Sequence, residues 1–219
     1  MESRRYLLIF DCDGVLVDSE PTSNRILAKA ITEAGLPMNQ QEVAEIFEGM
    51  RLADIQIEVS KRLGKGLPPG WLTDFEAERE TAFEQGLAPI PGITEVLARA
   101  ASIRMPMCVA SQARREKTEL TLRLTGLSRF FLPTSLFSSA MVERGKPAPD
   151  LFLFAAAEMG FEPGDCIVIE DGLPGIEAGL RAAMRVLGYG PNGHSERLAG
   201  AGAEVFTSMA DLPALLGLS

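Results

Sequence analysis

The stretch YLLIFDCDG at residues 6–14 decides the fold, because a short apolar run ends abruptly in two acidic residues and a glycine. A continuous apolar run of this length is typical of a strand that is buried on both faces, as in a parallel sheet. Asp11 and Asp13 would then lie just beyond the carboxyl end of that strand, where open α/β sheets bind their ligands. We therefore predict a buried first strand at residues 6–10 and a ligand site directly after it.

Four further short apolar runs have the same character and alternate with helical patterns. The predicted strands lie at residues 107–110, 166–169, 185–189 and 203–206. The predicted helices lie at residues 92–103, 114–124, 149–159 and 174–183. Such alternation favours a mostly parallel sheet with helices on both faces, so the predicted fold class is α/β.

The segment between the first and second strands has helical periodicity and no convincing strand. The helices predicted there lie at residues 22–34, 39–47, 52–63 and 72–85. The stiff, proline-rich APIPG at residues 88–92 would return the chain to the sheet. We predict a core domain of residues 1–17 and 89–219, with an all-helical domain of residues 18–88 inserted into it.

The composition excludes several classes of protein. No apolar run approaches the roughly 20 residues that a membrane span needs, and an acidic residue follows the first apolar run too early for a secretory signal. A net charge of -9 argues against nucleic acid as the main partner. Three cysteines without a close pair predict buried free thiols in a reducing, cytoplasmic setting. A single histidine, His194, lies in a loop-like segment and excludes a histidine-based triad or zinc site.

Polar residues that follow the other strands would meet Asp11 at the same edge of the sheet. Ser111 follows the second strand, Asp171 follows the next one, and Lys146 lies in a loop before a helix. Clustered carboxylates need a divalent cation to stay ionised together, and oxygen ligands favour Mg²⁺ over zinc. A metal and a lysine offset the charge of a phosphate group, while a carboxylate can attack phosphorus and a second acid can protonate the leaving oxygen.

The chain resembles the haloacid dehalogenase superfamily, specifically its phosphatase and β-phosphoglucomutase-like branch with a helical cap. Four motifs carry the resemblance, in order and across nearly the whole chain: FDCDGVLVDSE at residues 10–20, VASQ at 109–112, GKPAPD at 145–150 and IEDGLPGIEAG at 169–179. The resemblance implies a Rossmann-like core whose helical cap closes over the site as a lid and carries much of the substrate selectivity.

The resemblance also implies roles for the acidic residues. Asp11 would be the nucleophile and a metal ligand. Asp13 would be the acid/base and would bind the metal through its backbone carbonyl. Asp171 would be the further carboxylate ligand of Mg²⁺, with Glu170 beside or behind it.

Phosphate or substrate binding is expected of four other residues. The resemblance assigns phosphate binding to Ser111 and Lys146, although Ser111 could also cap the helix that follows it. Gln112 stands where an asparagine or serine is frequent, and Arg51 is either a substrate contact from the cap or an exposed basic residue. Gly172 replaces a common serine, so a hydroxyl that could orient a ligand carboxylate is missing.

Among the reactions of this branch, we expect hydrolysis of a small phosphate monoester, either a sugar phosphate or a sugar-acid phosphate. Asp13 argues against a dehalogenase, which lacks the second aspartate. Ser23 stands where β-phosphoglucomutases carry a cap histidine, so a phosphosugar mutase is the alternative. A catalytically silent relative would be expected to have lost Asp11 or Asp13. The expected partner is a small phosphorylated metabolite, without nucleic acid or membrane, and the oligomeric state is left open.

Overall fold

The structure is a computed structural model that describes residues 6–191 and 193–218. The predictions for residues 1–5, including their place in the core, lie outside the described residues. The described strands form one parallel sheet in the order β3-β2-β1-β4-β5-β6. They are β1 (Leu7–Phe10), β2 (Met107–Ser111), β3 (Leu136–Ser138), β4 (Cys166–Glu170), β5 (Arg185–Tyr189) and β6 (Glu204–Phe206).

Helices cover both faces of this sheet, which confirms the α/β prediction. They are α1 (Glu20–Glu33), α2 (Gln40–Phe47), α3 (Leu52–Leu63), α4 (Trp71–Gln85), α5 (Ile93–Ser102), α6 (Arg115–Leu124), α7 (Asp150–Met159), α8 (Leu173–Arg181), α9 (Ser195–Gly200) and α10 (Leu212–Leu215). Side chains alternate along β1: Leu8 joins the cluster that contains Leu97 of α5, whereas Ile9 joins the cluster that contains Phe152 of α7. Both faces of β1 are therefore buried, as its apolar run requires.

Among the described strands and α-helices, β3, α9 and α10 were not predicted from the sequence. β3 has three residues and lies at the edge of the sheet, so no periodicity can be read from it. The six-residue helix α9 and the four-residue helix α10 are likewise too short to show an amphipathic pattern. The predicted strand and helix ends otherwise differ from the observed ones by a few residues.

Helices α1 to α4 pack around a hydrophobic cluster of their own. It includes Ile26 of α1, Val43 of α2, Ile55 of α3 and Trp71 of α4, and it is separate from the two clusters that flank the sheet. This separate core supports the predicted inserted domain, here called the cap. The domain boundaries at residues 17/18 and 88/89 stay a prediction.

The three cysteines are buried and form no disulfide. No helix in the described ranges has the length and hydropathy to cross a membrane.

Candidate active site

The turn after β1 brings Asp11 to the point where the strand order reverses between β1 and β4. The backbone N–H of Asp11 donates to the carbonyl of Ile169 in β4, at 2.9 Å. Gly14 adopts a positive φ of 77°, and a Cβ there would collide with the carboxylate of Asp171. Only glycine therefore lets the turn pass so close to Asp171. The site lies at a topological switch point, the usual ligand position in open α/β sheets.

Lys146 connects the acidic residues at this edge. Its side chain is buried, and its ammonium donates to Asp11, to Glu170 at 2.6 Å and to the carbonyl of Ala110 at 2.9 Å. Burial alone would lower the pKa of Lys146, but the carboxylates of Asp11 and Glu170 more than offset it and raise the pKa. Lys146 is therefore a buried cation held beside the predicted nucleophile.

Glu170 lies behind the other carboxylates. Its second oxygen accepts hydrogen bonds from the backbone N–H groups of Asp171, at 3.0 Å, and Gly172, at 3.1 Å. A Cβ at Gly175 would collide with the Glu170 carboxylate, so the first turn of α8 must be free of a side chain at that position. With both oxygens engaged by the protein, Glu170 is placed to orient Lys146 and the loop that carries Asp171.

The carboxylates of Asp11 and Asp171 are costly to keep ionised without a further cation. The pKa of Asp11 is raised to about 7, because burial, reinforced by repulsion from Glu170 and Asp13, outweighs the opposing effect of Lys146. Burial also raises the pKa of Asp171 well above its ordinary value, with repulsion from Glu20, Glu170 and Asp11.

This donor set fits a hard divalent cation, since oxygen ligands that repel one another are what Mg²⁺ brings together. Within the described ranges, no group of three or more acidic, histidine or cysteine side chains is arranged to hold a metal. The predicted metal site needs only two side-chain carboxylates, those of Asp11 and Asp171, because its third protein ligand is the backbone carbonyl of Asp13.

Asp13 has a different environment from Asp11. Its carboxylate accepts hydrogen bonds from Ser19 and from Lys117, a buried lysine in the first turn of α6. Burial alone would raise the pKa of Asp13, but the ammonium of Lys117 and the two hydrogen bonds lower it below its ordinary value. Asp13 is therefore held as a carboxylate in this structure.

Ser111 and Gln112 lie at the end of β2 and line the same cavity as Asp11. The hydroxyl of Ser111 accepts the N–H of Ala113 at 3.1 Å, but the N-cap residue of α6 is Arg114 and this helix has no side-chain cap, so Ser111 does not cap it. The side-chain amide of Gln112 donates to the carbonyls of Gly49 at 3.0 Å and Lys146 at 3.2 Å, and accepts the N–H of Lys146. Gln112 thus joins the cap to the Lys146 loop.

The cavity between the cap and the core has a volume of about 530 Å³. Arg51 contributes to its wall from the cap, and one guanidinium nitrogen of Arg51 is buried without a hydrogen-bond partner among the described residues. Arg79 of α4 and Ser23 of α1 also line the cavity. His194, predicted to be a surface residue, is exposed at its rim.

Ion pairs join the cap to the core around this cavity. Glu48 of the cap accepts from Arg197 at 2.5 Å, and Glu76 of the cap pairs with Arg114. The hydrogen bond from Gln112 to Gly49 is a third contact between the two parts. Side chains of both cap and core therefore hold the two parts together at this cavity.

Lys117 and Arg79 were not predicted from the sequence to belong to the site. Lys117 lies six residues after Ser111, in the first turn of α6. This closeness to a predicted site residue could have identified it. Arg79 interrupts the apolar stripe of α4 formed by Trp71, Phe75 and Phe83 at four-residue spacing, and a charge in such a stripe was a second signal.

Comparisons with known proteins agree with this fold. The family model for haloacid dehalogenase-like hydrolases matches residues 7–183. The chain is 31% identical to the 6-phosphogluconate phosphatase of Escherichia coli (strain K12) over 97% of this chain and 95% of the relative. It is 30% identical to the fructose-1-phosphate phosphatase YqaB of the same organism, over 81% of this chain and 92% of the relative.

A solved structure leads to the same family. The HAD family hydrolase from Deinococcus radiodurans R1, with bound phosphate and sodium, superposes with a TM-score of 0.77 at 32% identity. The match covers 99% of this chain and 98% of that one. The family model matches most of the chain, and the parallel sheet has an aspartate at its switch point. The chain therefore belongs to the haloacid dehalogenase-like hydrolases.

Proposed function

We propose that this phosphoric monoester hydrolase of the haloacid dehalogenase family releases phosphate from a small phosphorylated carbohydrate or sugar acid. The observation that carries the proposal is the position of Asp11, which stands at the switch point of the sheet, bound by Lys146 and facing the cavity under the cap. Relatives that act on 6-phosphogluconate and fructose 1-phosphate support a carbohydrate substrate.

In the proposed first step, the Asp11 carboxylate attacks phosphorus and the bond from phosphorus to the leaving oxygen breaks. Lys146, hydrogen-bonded to Asp11, offsets negative charge on the group being transferred. Asp13 would take up a proton when the anionic substrate binds beside it and would give this proton to the leaving oxygen, so the alcohol departs neutral and an aspartyl-phosphate remains on Asp11. Ser111 lines the cavity and would hold a phosphoryl oxygen.

In the proposed second step, Asp13 takes a proton from a water molecule, which attacks phosphorus and frees Asp11 and inorganic phosphate. Lys117 favours the ionised form of Asp13. In its ionised form Asp13 could accept that proton.

Asp11, Asp171 and the carbonyl of Asp13 would hold Mg²⁺ in the proposed enzyme. Bound there, the ion would supply positive charge that lets an anionic carboxylate approach an anionic ester. Glu170 would orient this set from behind through Lys146 and the Asp171 backbone. Arg51, with its unpartnered buried nitrogen, would contact the substrate from the cap.

A phosphosugar mutase is the alternative within the same branch. The cap position at which a mutase histidine is expected holds Ser23, which lines the cavity without an imidazole. We therefore favour transfer of the phosphoryl group to water. The buried free thiols suit a reducing compartment, and we propose that the enzyme acts in the cytoplasm on a small metabolite.

A panel of phosphorylated metabolites at saturating Mg²⁺, with phosphate release as the readout, tests the proposal. We expect hydrolysis of at least one sugar or sugar-acid phosphate, its loss after chelation of the metal, and a fall of roughly a thousand-fold or more in kcat for Asp11→Asn. Equal phosphate release by wild type and Asp11→Asn would overturn it. Isomerisation of β-glucose 1-phosphate with a bisphosphate activator, without phosphate release, would establish the mutase instead.

A further inference from the structure

Arg79 is a charged residue in an apolar position of the cap. On α4 it lies four residues from Phe75 and four from Phe83, and its guanidinium carbon is 5.0 Å and 5.9 Å from the centres of their rings. The residue is only 6% exposed, yet it lines the cavity that contains Asp11 and Asp13. The two rings fix the guanidinium at the cavity wall.

The charge of Arg79 is not matched by a close partner. Its buried Nε has no hydrogen-bond partner among the described residues. The carboxylate within ion-pair distance belongs to Glu76, at 3.9 Å, and the other oxygen of Glu76 is bound by Arg114. A buried guanidinium without a good partner is costly, so a ligand that completes its hydrogen bonds would be bound strongly.

The neighbouring carboxylate of Asp13 is already neutralised. Lys117 forms an ion pair with it and Ser19 donates a second hydrogen bond. Asp13 is paired with Lys117 and Glu76 is bound by Arg114, so neither carboxylate is a close partner of Arg79. Asp13 is the residue that would protonate the leaving oxygen, so the part of a substrate nearest to Arg79 is its leaving group.

We propose that Arg79 is a specificity-determining residue that binds a carboxylate on the leaving group, so that the substrates are phosphorylated hydroxy acids, such as sugar-acid phosphates, in preference to neutral sugar phosphates. The inference rests on the proposed phosphatase function and names its substrate class. A guanidinium presents paired N–H donors in a plane, which matches the two oxygens of a carboxylate. A hydroxyl in the same place would leave the charge of Arg79 uncompensated.

Matched substrates that differ in one group test the assignment. The first pair is 6-phosphogluconate and glucitol 6-phosphate, and the second is 3-phosphoglycerate and glycerol 3-phosphate; in each, a carboxylate is replaced by CH₂OH. We expect kcat/KM to favour the acid of at least one pair by roughly 10- to 100-fold, the range for a hydrogen bond to a charged group. Arg79→Gln should bring this ratio close to one, and Arg79→Lys should retain part of it.

Arg25→Gln is the matched control, because it removes an exposed cap arginine outside the cavity lining and should leave the ratio unchanged. Equal rates within both pairs for the wild type, or a preference that survives Arg79→Gln, would overturn the inference while the phosphatase activity stands. Should Arg79→Gln not fold, the wild-type ratios and Arg79→Lys still decide.

Binding to the inactive Asp11→Asn variant, measured by calorimetry with the same four compounds, separates the two proposals. Tighter binding of the acids would keep the carboxylate subsite even if the panel of phosphorylated metabolites refutes the phosphatase. Equal affinities would refute the subsite.

Discussion

The charged groups on the two sides of the cavity differ in whether the protein itself provides their hydrogen-bond partners. On the core side, the site floor (Asp11, Lys146 and Glu170) is joined by hydrogen bonds within the protein, and one ammonium serves both carboxylates. On the cap side, the roof (Arg51 and Arg79) contains buried guanidinium nitrogens without partners among the described residues. In the proposed enzyme, the floor would act on the phosphoryl group of any substrate, whereas the roof has donors that a particular substrate would satisfy.

This difference fits a division of labour between chemistry and selection. Groups that act on the transferred phosphoryl need a fixed geometry, and internal hydrogen bonds provide it. Groups that select the leaving group discriminate best between substrates if only the ligand completes their hydrogen bonds, because a wrong ligand then leaves them unpaired. The following changes test whether floor and roof differ in this way.

The largest effect on stability is expected at Lys146. Lys146→Met leaves the buried carboxylates of Asp11 and Glu170 without their common cation, and breaking a buried pair in this way costs about 3–5 kcal/mol. Urea denaturation should show this loss, and phosphate release should fall at least about a hundred-fold. Lys65→Met, in an exposed turn of the cap, is the control. A loss below about 1 kcal/mol would mean that the floor is not held together by Lys146.

Gly175→Ala should disturb the floor without removing a charge. The new methyl group would occupy the position of the Glu170 carboxylate, so Glu170 must move away from Lys146 or from the Asp171 loop. We expect a stability loss of about 1–3 kcal/mol, measured by thermal or urea unfolding, together with reduced kcat. Gly164→Ala is the matched control, since a Cβ there meets open space. Unchanged kcat in Gly175→Ala would show that the position of Glu170 does not matter for the chemistry.

Lys117→Met removes the ion pair of Asp13, which belongs to neither the floor nor the roof as defined above. Asp13 would lose its direct ion pair, but Arg79 remains nearby as a second cation, so the expected stability loss is smaller, about 1–2 kcal/mol. Because Asp13 is assigned to the chemical step, kcat should fall by roughly ten-fold or more while KM changes little. A change in KM alone, with normal kcat, would place Lys117 in substrate binding instead.

The smallest effect is expected at the rim. Arg197 and Glu48 join core and cap at 2.5 Å, but their side chains are 48% and 26% exposed, so water and salt screen the pair. A double-mutant cycle with Arg197→Gln and Glu48→Gln should give a coupling energy of about 0.2–1 kcal/mol. A coupling of several kcal/mol would show that the rim, in addition to the floor, holds the closed arrangement together.

The floor could be predicted from the sequence because its residues follow apolar strands directly. Asp11 follows β1, Ser111 ends β2 and Asp171 follows β4, and parallel strands place their carboxyl ends at one edge. The roof could not be predicted to the same extent. Arg79 and Lys117 lie on helices, where the direction of a side chain depends on how the helix packs, and nothing local fixes the rotation of α4 over α6.

The sequence by itself determined the α/β fold, its helical insert and the group of residues expected around Asp11, because short apolar runs, helical periodicity and strand-end motifs are local patterns. Only the tertiary structure decided that Gln112 joins the cap to the Lys146 loop, that Lys117 binds Asp13, and that Arg79 is left without a close partner. Pairing and burial of charges depend on residues far apart in the chain, and packing alone brings these together.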